Sequence, residues 1–461
     1  MSQKNYSLAI EQLKTQFDQQ LTTNQSVCEQ HGKDESGWAP KPPDAVLFAT
    51  STEAVSLAMK ICHEHLMPII AFGTGTSLEG HVHALKGGLS IDLSQMNQII
   101  KINQDDMDCQ VQAGVTRKQL AYEIRNSGLF FSVDPGADAS LGGMAATGAS
   151  GTNTVRYGTM RDNVRALTVV LADGSIVRTG SRARKSSAGY DLTHLFIGSE
   201  GTLGIITELT VKLHGLQSAI SAAVCNFPTI EAVVKTVTLA IQYGIPVARM
   251  ELLDDITMRA INRYSDLQYA EKPHLFMEFH GSDASVQEQA QQVQEIAEDL
   301  GGNKFEWTSL TEDRNRLWQA RHDAYPATLL LRPGCKPVTT DVCVPISRLT
   351  ECIIETKKMI KSSDLPAAIL GHVGDGNFHL LILPDANKPE EIAEAEKINH
   401  QLVELAIAMD GTCTGEHGIG MGKIDFLQQE HPTGIGVMKL IKNSLDPLGL
   451  LNPGKIFADT K

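Results

Sequence analysis

Apolar residues along the chain recur at two periods, and the alternation between them sets out the elements. Val46–Ala49 and Pro68–Phe72 are short apolar runs. Between them, over Ala54–His65, apolar positions recur at helical spacing. Thr50-x-x-Glu53 reads as a capping box for that helix, so the stretch predicts a strand–helix–strand unit. Leu89, Ile91 and Leu93 alternate as a strand does. A helix follows, with Thr116-x-x-Gln119 to cap it and Gly128 placed as a left-handed terminating residue. Upstream, residues 1–40 read as a polar amphipathic helix and a loop, closed by Pro40-Lys-Pro-Pro43, which disfavours helix. Leu167–Ala172 and Ser175–Thr179 flank Asp173-Gly174, a pair suited to a tight type I′ hairpin turn. Ser199–Glu208 brings a further glycine turn before a strand ending near Leu213. Beyond residue 215 strands alternate with long helical patterns, such as Ser285–Leu300 and Glu390–Met409. The prolines and glycines of Asp446–Lys455 predict a fixed closing turn that folds back on the first domain.

Length and composition narrow this picture. A chain of 461 residues exceeds one comfortable core, so two or three domains are expected. With 42% hydrophobic and 20% charged residues it is an ordinary globular protein. Residues 134–158 hold few large side chains and could not fill a core alone, which leaves space for another group. A formal charge of −14 argues against a nucleic-acid or anionic-membrane surface. The eight cysteines form no Cys-x-x-Cys pair, so neither an iron–sulfur cluster nor a cysteine zinc site is signalled, and reduced thiols are expected. The first residues lead into no apolar signal core, and no run approaches the roughly 20 apolar residues of a membrane span. A cytoplasmic protein is the expectation.

No Gly-x-Gly-x-x-Gly and no Gly-x-x-x-x-Gly-Lys-Ser/Thr is present, so a Rossmann dehydrogenase or a P-loop nucleotidase is not indicated. Gly73-Thr-Gly-Thr-Ser77 follows a strand and could present backbone N–H groups to a pyrophosphate, although such a turn is more often only a turn. It belongs to an ordered set: Asp134-Pro-Gly136, Gly142-Gly143, Gly148–Asn153, Tyr157-Gly158 and Ser199-Glu-Gly201. That set resembles the vanillyl-alcohol-oxidase/PCMH flavoprotein superfamily. The likeness is greatest to the FAD-linked D-lactate dehydrogenases, relatives of the glycolate oxidase flavin subunit and of D-2-hydroxyglutarate dehydrogenase. It runs from about residue 40 to nearly the end of the chain.

The resemblance implies an α+β protein. A two-part PCMH-type FAD-binding domain spans 41–215, after the helix and loop of 1–40. An α+β substrate-binding cap with a metal site covers 216–425, and a C-terminal segment, 426–461, returns to the FAD domain. It places FAD on Phe72, Gly73, Thr74, Gly75, Thr76 and Ser77, with Pro135, Gly136, Gly142, Gly143, Gly148, Gly151, Asn153 and Gly158. Glu200, Gly201, Gly204, Ile205, Ile206 and Asn452 complete that set. Some members attach FAD through a histidine in the first glycine loop; here the loop holds Thr74, Thr76 and Ser77, so a non-covalent FAD is expected. His81 and His83, beyond the loop, are expected as polar surface histidines.

The second half carries a different chemistry. If Asp375-Gly376 is a two-residue type I′ turn, His372 faces His379 across a hairpin, with Cβ atoms roughly 5 Å apart. Two histidines alone suit a stacked pair as well as a metal. Glu416, beside His417 in a glycine-rich loop, supplies a carboxylate, and two imidazoles with one carboxylate suit zinc or manganese. The resemblance makes His372, His379 and Glu416 the metal ligands and His417 the residue beside the substrate hydroxyl. It makes Arg321 the substrate-carboxylate arginine, against the plainer alternative of a surface salt bridge, and Lys336 an assistant. A metal on the hydroxyl oxygen lowers its pKa, a neutral histidine can take the proton, and a guanidinium can grip a carboxylate through two hydrogen bonds. The hydroxyglutarate enzymes carry a polar residue two positions after the second metal histidine; Leu381 stands there, which favours a short acid. The role of Asp341 stays open.

The activity implied is FAD-dependent oxidation of D-lactate, or a similar short D-2-hydroxy acid, to the 2-oxo acid. Electrons would pass to a quinone, a cytochrome or an electron-transfer flavoprotein. The flavin subunit of a glycolate oxidase complex and a D-2-hydroxyglutarate dehydrogenase are the alternatives. A homodimer and a peripheral contact with the inner face of a membrane are compatible with the resemblance.

Overall fold

A computed structural model describes residues 6–458. The chain builds two units. The first takes Met1–Ser150, Gly158–Leu216 and Glu416–Lys461; the second takes Gly151–Tyr157 and Gln217–Gly415.

The first unit starts from the strand–helix–strand pattern. Strands Ala45–Phe48 and Ile69–Phe72 both lie parallel to Leu89–Asp92, and the helix Thr52–Glu64 makes the crossover. Leu21–Thr22 adds the outer antiparallel strand. Leu89–Asp92 is buried throughout, as a parallel strand covered on both faces must be. A five-stranded antiparallel sheet runs in the order Ile99–Asn103, Asp108–Gln112, Ile205–Lys212, Val164–Val170, Ile176–Arg178. Leu47, Met59, Ile69 and Ile91 share one core with Val111, Val169 and Leu209 from this second sheet and with Leu141.

The second unit is organised by an eight-stranded sheet. Its central path is Asn303–Thr308, Ala219–Asn226, His274–Gly281, Val247–Leu253, Ala367–Gly371, Asn377–Ile382 and Val338–Thr339, with Val342–Cys343 also pairing to Asn377–Ile382. The helices expected over 285–300 and 390–409 span Asp283–Asp299 and Pro389–Ala408. Helices Asp255–Tyr264 and Thr311–His322 pack on the sheet through Met258, Ile261, Leu317 and Trp318, against Leu253, Phe276 and Leu381.

Three local readings differ from the outcome. The helix after Phe48 is capped by Ser51, whose Oγ accepts from Ala54 N at 3.1 Å, so Thr50 lies outside it. The N-terminal segment forms two helices, Ser7–Phe17 and Gln25–His31, because Asn24 caps a new start by accepting from Ser26 N and Val27 N. At Asp173-Gly174 only the glycine has positive φ, 83°, and Leu171 N donates to Ser175 O. A type I′ turn needs positive φ at both central residues, so this hairpin closes with a three-residue loop instead. All eight cysteines are free thiols. Among the described residues no helix is long and apolar enough to cross a membrane.

Candidate functional site

The first unit gathers most of the glycine-rich pieces. The loop 73–77 leaves the end of strand Ile69–Phe72, and a Cβ on Gly73 would stand 2.5 Å from Ser140 Oγ. Ser140 caps the helix Leu141–Thr147, which Gly142 lets approach closely: its N–H donates to Ala113 O at 2.8 Å, and an added Cβ would meet Ala113 Cβ at 2.6 Å. That helix ends on Gly148 in the left-handed region, and its last carbonyls receive the next glycine turn, Gly198 N donating to Ala145 O and Glu200 N to Ala146 O. The closing segment joins the same assembly. Asn452 N donates to Ile69 O, and Asn452 Nδ2 donates to the carbonyls of His81 and Glu200. No side chain larger than a methyl stands at 142, 143, 145, 146 or 148. A pyrophosphate approached by backbone N–H groups needs such an unobstructed surface, and the residues present fit that need. Gly151 and Asn153 belong to the second unit.

His81 and His83 correct the sequence reading, for both are buried, at 6% and 1% exposure. His81 pairs with Glu200 at 3.1 Å, and His83 with Asp34 at 3.3 Å. Glu200 also accepts from Ile419 N at 2.6 Å and Gly420 N at 2.8 Å. Burial opposes a charge on either partner, yet His81 together with these N–H groups holds the Glu200 carboxyl below its ordinary range. The Glu200 carboxylate in turn raises His81 against the same burial. The segment so clamped includes Gly418 and Gly420, both of positive φ, and begins at Glu416 and His417. Ser150 Oγ donates to Glu416 Oε2 at 2.7 Å, and His417 Nε2 lies 4.0 Å from Glu416 Oε1.

In the second unit the hairpin at residues 367–382 forms, with a register other than the one the turn signal predicts. Leu370, not His372, lies opposite His379. Asp375 keeps a negative φ while Gly376 takes 83°, so the connection is a five-residue loop, 372–376, closed by Asp375 N to His372 O and Gly376 N to Val373 O. The two imidazoles still meet, edge to face, with ring centroids 5.6 Å apart. Each uses Nδ1 toward a protein acceptor: His372 to Glu251 Oε1 at 2.7 Å, His379 to Thr340 O at 3.0 Å. An Nδ1 proton so engaged puts the lone pair on Nε2, as histidine metal ligands commonly have it.

Arg321 is not a surface residue. It is 8% exposed, and its Nε and Nη2 donate to Glu251 Oε2 at 2.9 and 2.7 Å. Burial alone would raise the Glu251 carboxyl; His372 and Arg321 bring it below its usual value. Lys336 is exposed, ahead of strand Val338–Thr339. Asp341, whose role the sequence left open, is fully buried. It accepts from Asn377 Nδ2 at 2.9 Å, from Thr414 Oγ1 at 2.8 Å and from Gly415 N, and so anchors the loop that leads into Glu416.

The sequence reading missed Glu251 and the network beside it. Arg249 Nε donates to Asn153 Oδ1 at 2.9 Å, lies 3.4 Å from Glu278 and stacks over Trp318 at 4.8 Å. Tyr157 donates to His280 Nδ1, and His280 Nε2 to Glu278, both at 2.7 Å. A signal was present: Arg249 and Glu251 are charges at alternate positions of an otherwise apolar run, Val247–Leu253, and such charges are buried only with partners.

Comparison with known proteins finds two family models that match successive stretches of the chain. Residues 43–180 match the family model described as an FAD binding domain, and residues 216–456 match FAD linked oxidases, C-terminal domain. The chain is 52% identical to a probable mitochondrial D-lactate dehydrogenase of Danio rerio, over 98% of this chain and 93% of that protein. It is 45% identical to a mitochondrial D-lactate dehydrogenase [cytochrome] of Arabidopsis thaliana, over 97% and 79%. Among solved structures, p-cresol methylhydroxylase with substrate bound shares the fold, with a TM-score of 0.78 at 18% identity, covering 98% of this chain and 97% of the other.

Proposed function

The chain belongs to the FAD-linked oxidases, in the branch of the FAD-linked D-lactate dehydrogenases, and from that membership we propose that it oxidises D-lactate to the 2-oxo acid and passes the electrons to a cytochrome. The observation that carries the reading is the buried junction at Glu251, whose two oxygens hold an imidazole and a guanidinium side by side. A 2-hydroxy acid presents a hydroxyl and a carboxylate on adjacent carbons and needs both kinds of group within one small site. Both relatives are named D-lactate dehydrogenases, and the name of the Arabidopsis thaliana protein also gives a cytochrome.

FAD binds without a covalent link, on Gly73–Ser77, the helix after Ser140 and the turn at Glu200, because the first glycine loop offers hydroxyls rather than an imidazole. The divalent metal, zinc or manganese, is assigned to His372, His379 and Glu416, a donor set of two imidazoles and a carboxylate that suits either ion. When bound, the flavin supplies the hydride acceptor and the metal a Lewis acid for the hydroxyl oxygen. The chain's own residues do the rest. Arg321, with Nε and Nη2 engaged by Glu251, offers its Nη1 edge to the substrate carboxylate. His417 takes the hydroxyl proton on a ring nitrogen. Leu381, buried and apolar, stands where the hydroxyglutarate enzymes carry a polar residue, which favours a short acid over a long dicarboxylate.

The test is anaerobic mixing of the purified yellow protein with D-lactate, L-lactate, glycolate and D-2-hydroxyglutarate, before and after chelation. D-lactate is expected to bleach the flavin band, chelation to stop it, and metal to restore it; cytochrome c is then reduced on reoxidation. A flavin that stays oxidised with all four acids sinks the hydroxy-acid reading. Bleaching indifferent to chelation sinks the metal.

A further inference from the structure

Three elements distant in sequence converge on one carboxylate. Glu251 lies on strand Val247–Leu253, Arg321 on helix Thr311–His322 and His372 in the loop after strand Ala367–Gly371. Glu251 is fully buried, and it divides its oxygens: Oε1 receives His372 Nδ1 at 2.7 Å, and Oε2 receives Arg321 Nε and Nη2 at 2.9 and 2.7 Å. A buried ion pair contributes little net stability over an apolar pair of similar volume, so stability alone is a weak reason for this junction. Its chemical consequence is specific. With Oε1 accepting from Nδ1, the His372 ring is held in one orientation with its lone pair on Nε2; with Oε2 gripping two donors, the guanidinium plane of Arg321 is held as well.

We infer that Glu251 is a positioning residue that presets His372 for a cation and Arg321 for a carboxylate, so that the two halves of a 2-hydroxy acid are met by groups fixed to each other. This rests on the metal and carboxylate roles proposed above. Glutamine in its place offers one acceptor and one donor. With its oxygen toward Arg321, its NH₂ faces His372 Nδ1, which must then accept, and the ring proton moves to Nε2, where it competes with a metal. With its oxygen toward His372, its NH₂ meets the donors of Arg321. Neither orientation serves both partners.

The test compares wild type, E251Q and E251D as full-length, FAD-loaded protein, by Zn²⁺ competition against a chromophoric chelator and by kcat and KM for D-lactate at saturating Zn²⁺. E251Q is expected to bind Zn²⁺ about 10–100-fold more weakly with its flavin content kept, and to retain a raised KM after excess Zn²⁺ has restored metal occupancy. E251D keeps the charge on a shorter arm and loses less on both counts. A folded E251Q with wild-type Zn²⁺ affinity and KM overturns the inference. Should E251Q fail to load FAD, E251D decides alone, and wild-type values there overturn it. Wild type that binds no Zn²⁺ overturns both the metal reading and this role. Zn²⁺ bound by wild type and weakened in E251Q, with no D-lactate bleaching, leaves Glu251's role toward the cation and removes the substrate.

Discussion

Asp34 sits among Ser36, Ser77 and His83, accepting from Ser77 Oγ at 2.9 Å, from Ser36 N at 3.1 Å and from the His83 imidazole at 3.3 Å. Burial on its own would raise its pKa, but these donors bring it down to about 2. Its folded value lies below its unfolded one, so the stabilisation is complete above about pH 4 and is lost as pH falls toward 2. Asp34→Asn is therefore expected to cost about 2 kcal/mol at pH 7, with the gap to wild type closing between pH 4 and 2 in urea titrations. An equal gap at both ends would show that these hydrogen bonds are not its source. Ser77 belongs to the first glycine loop, so weaker FAD retention should accompany the loss. At this scale the glycines and the candidate histidines were readable because their chemistry is intrinsic to the residue. The burial of His81 and His83 was not, since nothing local to them predicts Glu200 or Asp34 as partners.

Elements show where local signals suffice and where they fall one residue short. Two hydroxyl residues precede the helix Thr52–Glu64, and either could cap it by type; the backbone at Ser51, φ −153°, is the one that turns its Oγ onto Ala54 N. Ser51→Ala is expected to cost about 1 kcal/mol and Thr50→Ala much less, read as urea midpoints with unchanged slope. The reverse order would restore Thr50 as the cap. The hairpin carrying His379 was readable from its Asp375-Gly376 turn signal, but not its register, because Asp375 does not enter the left-handed region that a two-residue turn demands. Gly376 does, and a Cβ there would lie 2.1 Å from Val344 O. Gly376→Ala should cost more than about 1 kcal/mol, seen as a lower melting temperature, and should loosen the loop that holds His372.

Across the whole molecule, connectivity is the fact that matters. The chain passes between the two units four times, at 150/151, 157/158, 216/217 and 415/416, so neither unit is a continuous stretch. The closing segment belongs to the first unit, tied by Asn452 to the carbonyls of His81 and Glu200. Asn452→Ala removes both bonds and leaves two buried carbonyls short of a donor, at a cost of about 1–3 kcal/mol; thermal unfolding with and without added FAD checks it. A variant with wild-type melting and flavin content would make the closing turn independent of the glycine-rich assembly. From the sequence alone came the strands and helices, the glycine loops and the residue types of both chemistries, because side-chain period, turn preference and ligand character act within a few residues. Tertiary structure alone decided that Arg321 is buried on Glu251, that Glu251 holds His372, and that Asp341 anchors the loop before Glu416. Each of those contacts joins residues 70 or more apart in the chain, where only packing and the need to pair a buried charge select the partner.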